Sequence, residues 1–106
     1  MTRTLVAKSK AIRALERLCS GPLTFGQVLA AIRKCDEIPQ AECARRLKIS
    51  KSHLCDIEKG RKAVSPERAA KWAAVLGYSE ARFVQLALQA AVDAAGLKYR
   101  VAIEAA

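Results

Sequence analysis

The stretch from Gln40 to Gly60 constrains the fold more than any other part of the chain. Its pattern predicts two short helices, Gln40 to Leu47 and Lys51 to Lys59, joined by a tight turn. Ser50 is the predicted N-cap of the second helix, and Gly60 is its predicted left-handed C-cap. Apolar residues recur at three- and four-residue spacings, so each helix has one buried stripe. The remaining positions are polar and mostly basic, and a helix of this kind fits the width of a DNA major groove.

Helices are also predicted before this stretch. Residues 2–19 form a basic amphipathic pattern, which is interpreted either as an arm that contacts phosphates or a partner, or as a solvated helix docked on the body. After Gly21-Pro22, Thr24 and Gln27 make the T-x-x-Q capping box of a second helix. That helix is expected to end near Cys35 or Asp36.

Two further helices are predicted after the central stretch. Ser65 and Pro66 mark a helix start, because serine caps the first turn and proline needs no amide hydrogen at the first helical position. This helix should stop at Gly77 and take Trp72 into the core, since Trp72 lies within an apolar helical pattern. A last helix, Glu80 to Ala95, is apolar around most of its circumference and should therefore bury more than one face.

The C-terminal residues change to a period of two after Gly96, as in a half-buried strand. No other strand is evident in the sequence, and the same strand of a second copy would be a self-complementary partner. We therefore predict a C2 homodimer, with a tail folded on its own subunit or frayed as the alternative. The predicted dimer interface comprises Phe83, Leu86, Leu88, Val92, Leu97, Tyr99, Val101 and Ile103.

Length and composition favour one all-α domain of about five helices plus an N-terminal helix, with a short C-terminal β-strand. We divide the chain into an N-terminal arm (1–22), a DNA-binding unit (23–78) and a dimerisation segment (79–106). Residues 1–62 carry 14 Lys and Arg against 6 Asp and Glu, whereas residues 63–106 carry 5 against 4. This excess at one end predicts a polyanionic partner there.

Several classes of protein fit the sequence poorly. No segment predicts a membrane span or a secretory signal, so we expect a cytoplasmic protein. The four cysteines form no C-x-x-C pair and are interpreted as reduced, mostly packed thiols, although Cys43, His53 and Cys55 leave a metal site as an alternative. With one histidine and no phosphate loop or catalytic triad, the sequence predicts neither an enzyme nor a cofactor.

Residues 24–77 resemble the helix-turn-helix domain of phage-repressor-like regulators, the family of lambda repressor, Cro and the xenobiotic-response-element regulators. The resemblance is carried by Q-A-E-C-A-R-R-L-K-I-S-K-S-H-L-C-D-I-E-K-G-R-K and by S-P-E-R-A-A-K-W-A-A-V-L-G. It covers about half of the chain and four helices at the correct spacing. The family implies binding to double-stranded DNA.

The resemblance also implies roles for individual residues. Gln40 matches a glutamine that binds a phosphate and supports the reading helix, and Arg33 and Glu58 match a salt bridge between the first and third helices. The residues expected to lie at the base edges are Lys51, Ser52 and Asp56, with His53 and Cys55 beside them. The residues expected to contact phosphates are Gln40, Arg33, Lys59, Arg61 and Lys62.

Three residues depart from the family pattern. Lys48 stands in the turn where glycine is usual, and a left-handed conformation there would cost about 1–2 kcal/mol. Pro39 replaces a serine or threonine cap, which forfeits about 1 kcal/mol. Cys43 replaces a larger apolar residue and predicts looser packing.

Two functions are consistent with these features. The first is a sequence-specific transcriptional regulator, a repressor, that acts as a homodimer on a palindromic operator. The second is the antitoxin of a toxin-antitoxin pair, which would neutralise a partner toxin and repress its own operon.

Overall fold

A computed structural model describes residues 23–106, which form five helices and no strand. The helices are α1 (Phe25–Cys35), α2 (Gln40–Leu47), α3 (Lys51–Glu58), α4 (Pro66–Leu76) and α5 (Glu80–Ala94). The all-α prediction is confirmed for this part of the chain. The predicted N-terminal helix, residues 2–19, lies outside the described residues. Among the helices of residues 23–106, none is long and apolar enough to cross a bilayer.

The predicted caps account for the helix boundaries. At the start of α1, the Gln27 backbone N–H donates to the Thr24 hydroxyl at 3.2 Å, and the Thr24 N–H donates to the Gln27 side-chain oxygen at 2.9 Å. This reciprocal pair is the capping box. Ser50, Ser65 and Ser79 each accept a backbone N–H at the starts of α3, α4 and α5. Serines at these positions therefore fix where three of the five helices begin.

At Pro39 and Lys48, where the sequence departs from the family pattern, the backbone has the expected features. Pro39 makes no side-chain cap hydrogen bond at the start of α2. Lys48, which follows α2, has φ 60° and ψ 41° and is left-handed. Its N–H donates to the Arg45 carbonyl at 3.1 Å, and the Ile49 N–H donates to the Ala44 carbonyl at 3.0 Å. These bonds close the end of α2 and set the turn into α3.

One hydrophobic core holds all five helices. Phe25 packs edge-to-face on Phe83 with ring centroids 5.4 Å apart, and the Phe25 and Trp72 centroids are 6.3 Å apart. Phe83 is 1% exposed. The rings therefore join α1, α4 and α5, and α5 packs more extensively on α4 than on any other helix. Trp72 is a core residue, as its helical spacing predicted.

A glycine sets the crossing of α1 and α3. A Cβ atom at Gly26 would lie 2.2 Å from the Ile57 carbonyl oxygen and 2.9 Å from that of Glu58. Real Cβ atoms do not approach backbone oxygens so closely. The absence of a side chain at Gly26 therefore allows the end of α3 to lie directly on the first turn of α1.

The C-terminal residues pack on α5 without forming a strand. In the described chain, residues 97–106 have no regular secondary structure, so the predicted strand is not formed within one subunit. The Gln89 side chain accepts the Val101 N–H at 2.7 Å and donates to the Tyr99 carbonyl at 2.8 Å. The Gln85 side chain donates to the Val101 carbonyl at 2.9 Å. Two glutamines one turn apart thus occupy backbone groups that a neighbouring strand would otherwise bond.

Candidate nucleic-acid interface

Helix α3 combines one buried face with one exposed face. Leu54 and Ile57 are buried in the core. Lys51 and Ser52, in the first turn, are exposed, while His53, Cys55 and Asp56 are half-buried. Ser52 and Asp56 are four residues apart and therefore share one side of the helix. The five predicted base-contacting residues thus lie outside the buried stripe.

Glu58 joins the first three helices at the end of α3. It accepts hydrogen bonds from Arg33 Nε at 2.8 Å, from an Arg33 terminal nitrogen at 3.0 Å and from Gln40 Nε2 at 3.1 Å. The Arg33 and Glu58 side chains are only 14% and 8% exposed. A carboxylate that accepts both guanidinium donors and an amide at low exposure fixes the angle between α1, α2 and α3.

The Arg33 guanidinium is directed into the protein. A terminal nitrogen of Arg33 also donates to the Ile38 carbonyl at 3.3 Å. Hydrogen bonding to Glu58 raises the pKa of Arg33, although burial opposes this effect. The structural pairing of Arg33 with Glu58 is therefore present, and it places the guanidinium beside Gln40 rather than on the exposed side of α3.

The loop after α3 carries the predicted phosphate-contacting cations. Lys59, Arg61 and Lys62 are exposed. Gly60, with φ 78°, turns the chain so that the Arg61 N–H donates to the Asp56 carbonyl at 2.8 Å. This bond folds the loop back alongside α3. The cations therefore lie beside the helix that presents the predicted base-contacting residues.

Asp56 is paired with two of these cations. Its Oδ1 lies 3.5 Å from an Arg61 terminal nitrogen, and its Oδ2 lies 3.8 Å from Lys62 Nζ. Asp56 is predicted from the sequence to contact bases and the two cations to contact phosphates, and their contact with one another is not among those predictions. The i to i+5 and i to i+6 spacing was visible, but the pairing depends on the turn at Gly60.

The residues predicted for the dimer interface fall into two groups. Phe83 and Leu86 lie in the core of the described subunit, whereas Leu88, Val92 and Val101 are half-buried. Leu97, Tyr99 and Ile103 are 51%, 71% and 40% exposed. The exposed apolar surface at this end of the molecule is therefore concentrated in the C-terminal segment.

The cysteines of the described part differ in their surroundings. Cys43 is buried, Cys55 is half-buried and Cys35 is exposed. Burial raises the pKa of the Cys43 thiol, and the nearby Glu58 carboxylate adds to the effect. Within residues 23–106, no cluster of three or more His, Cys, Asp or Glu side chains has the arrangement needed to hold a metal ion.

The helix-turn-helix geometry agrees with a family comparison. The Helix-turn-helix family model matches residues 29–83, just over half of the chain. The chain therefore belongs to the lambda repressor/Cro-like helix-turn-helix family. This is a family of DNA-binding transcriptional regulators. No curated protein and no solved structure gave a significant match.

Proposed function

We propose that the protein is a sequence-specific repressor that binds a palindromic operator as a homodimer. The observation that carries this proposal is the exposed first turn of α3 with a basic loop folded against the same helix. The side chains that can distinguish base pairs and those that can neutralise phosphates thus belong to one continuous surface. A surface that binds DNA sequence-specifically uses both kinds of contact, because phosphate contacts position the protein and base contacts specify the sequence.

Base recognition is assigned to the start of α3. The Lys51 ammonium can donate to guanine O6 or N7, the Ser52 hydroxyl can pair with several bases, and the Asp56 carboxylate can accept from cytosine N4. His53 and Cys55 flank these positions and adjust the fit. A single well-made contact of this kind discriminates between bases by about 1–3 kcal/mol.

Phosphate binding is assigned to Gln40 and to the loop cations Lys59, Arg61 and Lys62. The Gln40 amide is held by Glu58 through one donor, and its second N–H is the group that can donate to a phosphate. Arg33 supports this position through the same carboxylate. Release of counterions should make binding strongly dependent on salt, with a slope of about −0.9 per neutralised phosphate.

Dimerisation is assigned to α5 and the C-terminal segment. Leu97, Tyr99 and Ile103 together expose apolar surface that is best covered by a second copy of the same segment. The glutamine contacts engage the backbone of Tyr99 and Val101 on one edge of the segment. The backbone of Lys98, Arg100 and Ala102 makes no hydrogen bond among residues 23–106, so this opposite edge is available for pairing. Phe83 and Leu86, also predicted for the interface, are buried in the core of the subunit.

One experiment tests the binding mode and the assembly together. Duplexes are selected from a random pool by the purified protein, and the mass of the same sample is measured by light scattering. We expect enrichment of inverted half-sites whose centres lie about 34 Å apart. The mass should be twice the 11.5 kDa of one chain. Absence of any enriched sequence would refute sequence-specific binding, and a monomer would refute the dimer.

The contribution of the C-terminal segment is tested by Gln89→Ala. This change removes the hydrogen bonds to Tyr99 and Val101 and should weaken self-association without loss of the helical signal. Lys71→Ala, the truncation of an exposed side chain in α4, is the control and should leave the dimer intact. If a second, smaller protein accompanies the chain through purification and accounts for the added mass, the antitoxin function is favoured instead.

A further inference from the structure

The Asp56 carboxylate is already occupied in the protein without DNA. Both of its oxygens are directed toward cations of the following loop, Arg61 and Lys62, at 3.5 and 3.8 Å. The same two cations are the ones assigned to phosphates. A cytosine amino group that binds Asp56 must therefore share the carboxylate with Arg61 and Lys62 or displace them.

The other cations of this surface are not restrained in the same way. Lys51 and Lys59 have no ion-pair partner within residues 23–106. Asp56 thus neutralises part of the positive charge of the loop but none of that at the first turn of α3. This selective neutralisation is what distinguishes Asp56 from an ordinary solvated acid.

We propose that Asp56 is a specificity-determining residue that weakens binding to non-operator DNA by holding Arg61 and Lys62, an inference that rests on the proposed DNA-binding function. When phosphates take the two cations, the carboxylate is released beside a polyanion. An operator that places a cytosine amino group within reach supplies a donor for it. Other sequences leave the carboxylate facing acceptors and phosphates, which is unfavourable. Specificity is the difference between two affinities, so repulsion from the wrong sequence adds to it as attraction to the right one does.

The substitution Asp56→Asn tests this role with little change in shape. It removes both ion pairs and the repulsion from phosphates, while it also removes the acceptor for cytosine. Exposed ion pairs at these distances are weak, so we expect binding to a scrambled duplex to strengthen by about 3- to 10-fold. Binding to the selected operator should strengthen less or weaken, and the ratio of the two affinities should fall.

A matched control separates this effect from a change of net charge. Glu42 pairs with Arg45 at 2.7 Å and lies 3.8 Å from Arg46 on the exposed surface of α2. Glu42→Gln therefore removes one negative charge and releases two cations, as Asp56→Asn does, but away from the exposed face of α3. It should change the affinities for operator and scrambled duplexes by equal factors.

The measurement is a fluorescence anisotropy titration of both duplexes at fixed salt, with circular dichroism to verify folding. The same pair of titrations is repeated for Asp56→Asn in a background of Arg61→Ala and Lys62→Ala. In that background the gain in affinity for the scrambled duplex should shrink, because the released cations are absent.

The inference is overturned if Asp56→Asn binds the scrambled duplex no tighter than wild type. It is also overturned if Glu42→Gln lowers the affinity ratio equally, or if the gain persists undiminished without the two cations. A wild-type protein that binds no duplex would refute the DNA-binding proposal itself, and the inference with it.

Discussion

Replacement of Glu58 by Gln should destabilise the fold and misplace the reading helix. Glu58 accepts three hydrogen bonds, two from Arg33 and one from Gln40, at 2.8 to 3.1 Å. The change preserves the shape of the side chain but removes the charge that the guanidinium faces. A glutamine can also offer only one oxygen, so at least one of the two Arg33 bonds is lost.

The free energy of unfolding lost in Glu58→Gln should lie between two limits. Breaking a fully buried ion pair costs about 3–5 kcal/mol, whereas an exposed pair contributes about 0–1 kcal/mol. At 14% and 8% exposure the Arg33–Glu58 pair is nearer the buried limit, but Arg33 retains its bond to the Ile38 carbonyl at 3.3 Å. We therefore expect a loss of about 2–3 kcal/mol in the free energy of unfolding.

Urea unfolding followed by circular dichroism at pH 7 measures this loss, at one protein concentration because a dimer couples stability to concentration. Because the pKa of Arg33 is raised in the folded protein, its contribution to the free energy of unfolding is fully present below the pKa of the unfolded chain and is lost only at strongly alkaline pH. A measurement at pH 7 therefore includes the whole contribution. Glu42→Gln, which removes an exposed ion pair, is the control and should have a much smaller effect. Equal destabilisation by both variants would refute the structural role of Glu58.

Three further predictions follow from the backbone and the thiols. Gly26→Ala should destabilise by several kcal/mol or prevent folding, because its Cβ would lie 2.2 Å from the Ile57 carbonyl oxygen; thermal unfolding measures this, and an unchanged midpoint would contradict the close approach. Lys48→Gly should stabilise by about 0.5–1 kcal/mol, since it relieves a left-handed conformation at an exposed side chain; urea unfolding detects the gain, and a loss would contradict it. Iodoacetamide should modify Cys35 before Cys43, because Cys43 is buried and the pKa of its thiol is raised; peptide mass spectrometry gives the order, and earlier labelling of Cys43 would contradict its burial.

Local signals were sufficient to predict the helices of the described part. The capping box at Thr24, the Ser65-Pro66 start and the glycine at 77 depend on neighbours within four residues, and all three were confirmed. The period of apolar residues also identified the buried face of α3, because Leu54 and Ile57 can share a face only in a helix.

Side-chain contacts that depend on the path of the backbone between the two residues were harder to predict. The pairing of Asp56 with Arg61 and Lys62 requires the turn at Gly60, and the sequence shows the turn but not where the side chains then point. The sequence also did not predict that the Phe83 side chain lies in the core of the subunit. An apolar helix signals that several faces are buried, but it does not tell which residues face Phe25 in the core and which remain for a partner.

The C-terminal segment illustrates a third limit. Alternation of apolar residues suggested a strand, yet within one subunit Gln85 and Gln89 take the backbone hydrogen bonds. A period of two reports that one face of a segment is apolar, but it does not supply a bonding partner. Pairing of this segment with a second copy stays a prediction.

The most direct measurement of DNA reading by α3 compares Lys51→Ala with Lys62→Ala on a panel of operator variants over a range of salt concentrations. Lys51→Ala should reduce discrimination at one base pair by about 1–3 kcal/mol and leave other positions unchanged. Lys62→Ala should weaken binding to all duplexes alike and reduce the salt slope by about 1. If the two variants lose the same affinity on every duplex, the first turn of α3 does not read the base sequence.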